Sequence, residues 1–327
     1  MSISLLAQKS SDDTREEENT GDTKENVLRS YGTQKYYYEH LLKVTTTGSG
    51  HVFGLSHEIR NKEIKVEEQI RRTIDQVEVR PIVLNLIFHV QYTDDPKEAS
   101  ERITAQVEEL NRTFSSLNNK ERHPGDPFGV YTKLAANPKI TFKFAQTAAT
   151  EKYGNGIASL SKPKSIWTSY DLMKSQEKGG ARAVLPDKLI NIWISDLDPN
   201  IGSYATSPFQ DVEDAGIVID QRLFGKEQKS LTHLMGNYLG LKDLWHEYEP
   251  CGDDLVSDTP ISNAPNRGKP KFKHITTCVR NRLVPEMTMN YMDSTDDDYQ
   301  TMFTEGQVKR MHAMLGAVYS DLIDSSN

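Results

Sequence analysis

The sequence predicts an α/β chain in which strands and helices come first and a loop-rich region closed by one helix comes last. Three observations carry this. Dense runs of β-branched and apolar residues, led by Pro81 to Tyr92 (PIVLNLIFHVQY), have the composition of buried strands. Segments with apolar residues at helical spacing alternate with them. From Lys242 to Thr301 the chain is rich in Asp, Pro and Gly, the residues of turns.

Taken in order, residues 1–25 read as a disordered tether, because the stretch after Ala7 holds Ser, Asp, Glu and Thr with little to bury. Ile3 to Ala7 is too short for a signal-peptide core. Leu5-Leu6-Ala7-Gln8 has the shape of a lipoprotein signal with Gln8 in the cysteine's place. Residues 26–78 read as a charged, helical accessory region, with Ile64, Ile70 and Ile74 at helical spacing. Residues 79–240 form an N-terminal subdomain. Asp95-Pro96 ends its first strand, and Ala99 to Leu117 follows as a helix with Ile103, Val107, Leu110 and Phe114 on one face. Lys139 to Gln146 alternates like a strand with one wet face, and Lys188 to Leu197 and Ala215 to Asp220 read as further strands. Gln228 to Leu239 reads as a helix stopped by Gly240. Residues 241–327 form a C-terminal subdomain whose last helix, about Thr304 to Ile323, turns Val308, Met311, Leu315 and Val318 inward.

Composition excludes some functions. The 327 residues carry a net charge of −8 with no basic stripe, which argues against nucleic acid as a partner. No apolar run approaches the roughly 20 residues of a transmembrane helix. The two cysteines, Cys251 and Cys278, are either buried thiols or one disulfide, the latter implying an oxidising compartment.

The chemistry concentrates at His233-Leu-Met-Gly-Asn237-Tyr-Leu-Gly240-Leu-Lys-Asp243. Its spacing is that of the zinc helix H-E-x-x-H-x-x-G-x-x-H. In that design two histidines on one helix face and a third ligand beyond a glycine turn hold the ion, and the glutamate polarises its water. Here Leu234 stands in the base's place, Asn237 in the second histidine's and Asp243 in the third's. Downstream, Asn290-Tyr-Met292-Asp293, Phe303-Thr304-Glu-Gly-Gln307 and Cys251-Gly-Asp-Asp254-Leu-Val-Ser-Asp258-Thr259-Pro260 resemble the Met-turn, the following helix and the Asp-Thr-Pro loop of the pappalysin-type metzincins. Asn191-Ile-Trp-Ile-Ser-Asp196 and Gly216-Ile-Val-Ile-Asp220 resemble the family's strands. Arg29-Ser-Tyr31-Gly32-Thr33 resembles its pro-segment opening, with Tyr31 in place of the cysteine that caps the zinc.

The resemblance, over about residues 80–318, implies a metzincin fold: a twisted mixed sheet with backing helices, a central zinc helix and a loop-rich C-terminal subdomain ending in a helix. It implies a strand at Ala215 to Asp220 at the sheet's edge, bordering a cleft able to hold an extended peptide or protein. It implies a Cys251–Cys278 bridge, since the family's other pair falls on Lys269 and Tyr299, lost together. It places Asp254, the carbonyl of Val256 and Thr259 at calcium-ligand positions, where turn chemistry is the competing explanation.

With the base and two of three ligands replaced, no zinc is expected. The chain reads as a catalytically inactive, extracytoplasmic relative that binds a peptide, protein or glycan. The alternative is a zinc endopeptidase with a non-standard site built on His233, Asp243 and a ligand such as His246. For His246-Glu247-Tyr248-Glu249 a solvated loop is the better reading. A structural protein with no ligand is a third.

Overall fold

The computed structural model describes residues 32–37, 50–115, 123–162, 165–210, 213, 215–246, 251–271, 275–279 and 283–323. The tether at residues 1–25 and the Arg29 to Tyr31 stretch lie outside these, as do Glu247 to Glu249.

The sheet is built on β1 (Ile82–Gln91). Its first half pairs in parallel with β3 (Ile140–Phe144) and its second half, on the same side, with β4 (Ile157–Leu160). Gly156 lies where these partners change: its φ is +71°, and a Cβ there would stand 2.9 Å from the Leu86 carbonyl oxygen. On the other side lies β5 (Ile190–Ser195), then β7 (Ile217–Asp220), both parallel, then β6 (Tyr204–Ala205), antiparallel. Every residue of β5 and β7 is buried, as expected of parallel strands covered on both faces.

Between β1 and β3 runs α2 (Pro96–Ser115). The Asp95-Pro96 break is its start: the Asp95 carboxylate accepts from Lys97 N at 2.8 Å, and Pro96 takes the first helical position, where no N–H is needed. Ile103, Val107, Leu110 and Phe114 are buried as predicted. Asn111 clamps the helix to β3 through both Phe142 N and Phe142 O.

The expected edge strand is not at the edge. Ile217–Asp220 is flanked on both sides, and β6 lies outside it. A two-residue strand carries no periodicity, so the sequence hid it. The outer side of β6 is in turn covered by the N-terminal segment: Gly32 N donates to Ser203 O at 2.8 Å and Ala205 N to Thr33 Oγ1 at 3.2 Å.

The accessory region contributes α1 (Gly50–Thr73). Ile70 is buried, but Ile64 is 48% exposed, because α1 rests on the core along a stripe narrower than its apolar spacing predicts. It is fastened to α4 (Glu305–Val318) by Arg310, whose guanidinium donates to both Glu67 oxygens at 2.8 and 2.5 Å and to Gly240 O at 2.9 Å. A Thr304–Gln307 capping box opens α4. Val308, Met311 and Leu315 join the same core as β1 and β5, so the boundary expected near residue 240 runs through one shared interior. Just before α4, β10 (Phe303–Thr304) pairs with β2 (Ala135–Ala136), joining residues on either side of Gly240 again.

Cys251 and Cys278 form a disulfide across 27 residues. It ties a turn-rich stretch with little regular structure beyond the hairpin of β8 (Ile275–Thr276) and β9 (Val284–Pro285). Replacing both cysteines by serine is expected to cost roughly 3–4 kcal/mol on the loop-closure estimate. Urea unfolding of the double variant measures this, and an unchanged midpoint would contradict it.

Candidate functional site

The central helix α3 (Ser230–Tyr238) is buried at every position, so its side chains meet protein on all sides. His233 and Asn237, four residues apart, share a face. The chain then reverses at Gly240, with φ +87° and Met314 so close that a Cβ would lie 2.6 Å from its Cε. Only glycine satisfies both conditions. The reversal brings Asp243 back against α3.

The three expected ligand positions are brought together, while Leu234 turns into the apolar core. Asp243 Oδ1 lies 2.9 Å from His233 Nε2 and accepts from Asn237 Nδ2 at 3.0 Å. His233 Nδ1 lies 2.9 Å from the Tyr291 carbonyl oxygen, which only accepts, so Nδ1 carries a proton. A carboxylate faces Nε2 on the other side of the ring. Asn237 Nδ2 also reaches Leu241 O at 3.3 Å. Two acceptors around the nitrogen fix the amide's orientation and direct Asn237 Oδ1 away from Asp243. His233 and Leu234 are fully buried, and Leu234 belongs to the main apolar core.

The turn of Asn290 to Asp293 lies against α3. Met292 is fully buried, and a Cβ on Gly236 would meet its sulfur at 2.5 Å. Asn290 and Gln307 exchange side-chain hydrogen bonds at 2.8 and 3.1 Å, fixing the turn to α4. Asp293 accepts from Asn266 N, Asn266 Nδ2 and Ser294 N, while burial pushes its carboxyl up to about 7.

Gln34 was not singled out by the sequence reading. Its Nε2 donates to Asp243 Oδ2 at 2.8 Å and to Trp245 O at 2.9 Å, so the N-terminal segment ends on the same carboxylate. The signal was two residues away, in the Gly32-Thr33 that the pro-segment resemblance had marked. A cavity of about 710 Å³ opens beside this contact, lined by Gln34, Glu67, Asn237, Asp243, His246 and Arg310 among others. His246 therefore shares a cavity wall with Asp243. Among the described residues no group of three or more His, Cys, Asp and Glu side chains gathers as a metal-holding set.

The calcium-position residues also converge. Thr259 Oγ1 lies 2.7 Å from Asp254 Oδ2 and 2.8 Å from Val256 O, and Val256 N donates to Asp254 Oδ1 at 3.2 Å. Burial pushes the Asp254 carboxyl up to about 7.

Residues 187–316 match the peptidase M43 family described as pregnancy-associated plasma protein-A. Mature mirolysin from Tannerella forsythia, solved in complex with a cleaved peptide, is 29% identical with a TM-score of 0.63, over 72% of this chain and 91% of that one. A promirolysin mutant from the same organism is 24% identical with a TM-score of 0.67, over 86% of this chain and 94% of that one, a likeness of fold. An extracellular metalloprotease of Arthroderma gypseum is 33% identical over 91 residues, 27% of this chain and 30% of that protein. The uncharacterized protein R722 of Acanthamoeba polyphaga mimivirus is 29% identical over 161 residues, 44% of this chain and 18% of that protein. The matched stretches thus span less than a third of either relative. Among the described residues no helix is long and apolar enough to cross a membrane.

Removing Asp243 would leave the donors of His233, Asn237 and Gln34 facing one another in the interior. Asp243→Ala is expected to lose about 3–5 kcal/mol of unfolding free energy. Denaturant titration measures it, and a loss below about 1 kcal/mol would show that the carboxylate does not organise the site.

Proposed function

For a chain that is a pappalysin-type metzincin by fold and family resemblance, we propose that it has given up hydrolysis and uses the old cleft to bind a peptide or protein outside the cytoplasm. The observation that carries this is the direct contact of His233 Nε2 with Asp243. A zinc ligand needs that nitrogen's lone pair, and the space beside the nitrogen is taken by Asp243 Oδ1 at 2.9 Å. The remaining donor set fits a hydrolytic zinc site poorly. Asn237 turns its nitrogen inward, and an amide nitrogen that donates cannot coordinate. Leu234 has no atom that accepts a proton from water. Orientation and binding remain to these residues, and the strand edge and cavity beside them suit an extended main chain. The extracellular naming of the Arthroderma relative and the disulfide support an oxidising location.

A second reading, a working peptidase with an altered metal site, draws on one observation: His246 lines the same cavity as Asp243. It needs a new general base in place of Leu234. Full-length protein purified without added metal is expected to hold far less than one zinc per chain and to cleave no peptide in a broad substrate library. Turnover abolished by a chelator would overturn the proposal. Leu234→Glu, Asn237→His and Asp243→His made together are expected to raise zinc content toward one per chain.

Calcium is proposed for the Asp254, Val256 and Thr259 loop. Thr259 Oγ1 lies 2.7 Å from Asp254 Oδ2 and 2.8 Å from Val256 O, and calcium takes such oxygens at about 2.3–2.6 Å. The same contacts close the loop as a turn when no ion is bound. Millimolar calcium is expected to raise the melting temperature of the natural chain and not of Asp254→Asn. Equal shifts, or none, would leave these residues to turn chemistry alone.

A further inference from the structure

Residues 33–37 form a helical turn beside the cleft, closed by Tyr36 N donating to Gly32 O at 2.6 Å, and Gly32, Gln34 and Tyr36 each make a contact with the core. Gly32 approaches the strand edge so closely that a Cβ would stand 2.4 Å from the Ile201 carbonyl oxygen. Gln34 reaches Asp243 and Trp245 O. Tyr36, only 2% exposed, leaves the cleft sideways and enters a ring-lined slot. There it stacks on Tyr204 with centroids 4.4 Å apart and planes at 24°, meets Tyr170 edge-on at 5.3 Å, and donates its O–H to Asp171 Oδ2 at 2.9 Å.

The slot's walls do not depend on Tyr36. Tyr170 and Tyr204 pack edge to face at 5.1 Å. Tyr204 O–H donates to Asp171 Oδ1 at 3.0 Å, and Lys174 Nζ lies 2.7 Å from the same oxygen. Lys174 is itself buried and lies 5.1 Å from the Trp193 ring centroid. Asp171 holds a left-handed backbone, φ +60°, which a non-glycine residue adopts at a cost and which places its carboxylate at the slot's floor. Burial works against that carboxylate's charge, but Lys174 and the two phenols outweigh it and hold the group below its ordinary value.

A flat aromatic slot ending in a charged acceptor selects a phenol: a phenyl ring would fill it and leave the acceptor short, and an aliphatic chain would lose the stacking. The geometry points to a tyrosine-binding pocket beside the cleft, formed by Tyr170, Asp171, Lys174 and Tyr204, which takes a peptide carrying Gly-x-Gln-x-Tyr and is filled in this chain by its own Tyr36. It rests on the reading of the cleft as a peptide-binding site and names that site's ligand. A partner peptide of this pattern competes with residues 32–37 for the same contacts.

The test uses the full chain and a fluorescein-labelled hexapeptide, Gly-Thr-Gln-Lys-Tyr-Tyr. The natural chain is expected to bind it at least tenfold more weakly than the Tyr36→Ala chain, which binds it saturably. The peptide with Phe for its first Tyr should bind roughly tenfold more weakly, for loss of a hydrogen bond to a charged group. No saturable binding to a folded Tyr36→Ala chain overturns the pocket, as does equal binding to both chains. If Tyr36→Ala does not fold, hydrogen exchange on the natural chain decides. The amides of Gly32 and Tyr36, bonded to Ser203 O and Gly32 O, should be protected, and exchange at the rate of a free peptide overturns the assignment. Chelator-sensitive peptide cleavage would defeat the loss of hydrolysis and leave the pocket standing. A silent binding assay without cleavage defeats the pocket alone.

Discussion

Asp243 is buried with a carboxylate that meets three donors from three parts of the chain: His233 and Asn237 on the central helix, and Gln34 on the N-terminal segment. A buried carboxylate persists only when such partners replace the water it has lost. The Gly240 reversal delivers it, the Tyr291 carbonyl above the buried Met292 orients His233 from the other side, and Arg310 holds Gly240 and the accessory helix to α4. Each support comes from a different element, so the fold and the site are one network.

That network explains why the family's layout outlasts its metal chemistry on the proposed reading. A metzincin site needs three inward ligands, a turn and a floor. The floor and the turn are intact, one histidine is kept, and Asn237 and Asp243 at the other two ligand positions bond one another. On that reading a thiol in the N-terminal segment would have no metal to cap. Gln34 supplies a neutral amide where a metal-capping sulfur would have no partner, and Tyr36 adds an anchor farther along.

Much of this was legible in the sequence. The long strands and α2 follow from composition and helical spacing, and the ordered run of motifs from residue 191 to residue 307 identified the fold. The disulfide was legible only through the family's paired losses at Lys269 and Tyr299. In the structure these sites are neighbours: Lys269 bonds Asp298, and Tyr299 O–H donates to Pro270 O. The edge strand was misplaced because Tyr204–Ala205 is too short to show alternation. Gln34 and Tyr36 were invisible because their roles come from long-range contacts, to residues 209 and 135 positions away, which no local pattern encodes. Ile64 kept helical spacing yet faces solvent, since spacing reports the helix and not the width of its support.

On the proposed reading a hydrogen bond, and no metal, joins His233 to Asp243. Nitrogen NMR of the full chain labelled at histidine reads it directly. Both ring nitrogens of His233 should be protonated or hydrogen-bonded to a proton, with resonances unmoved by one equivalent of zinc. A bare Nε2 resonance that shifts to a metal-bound position when zinc is added would contradict the account.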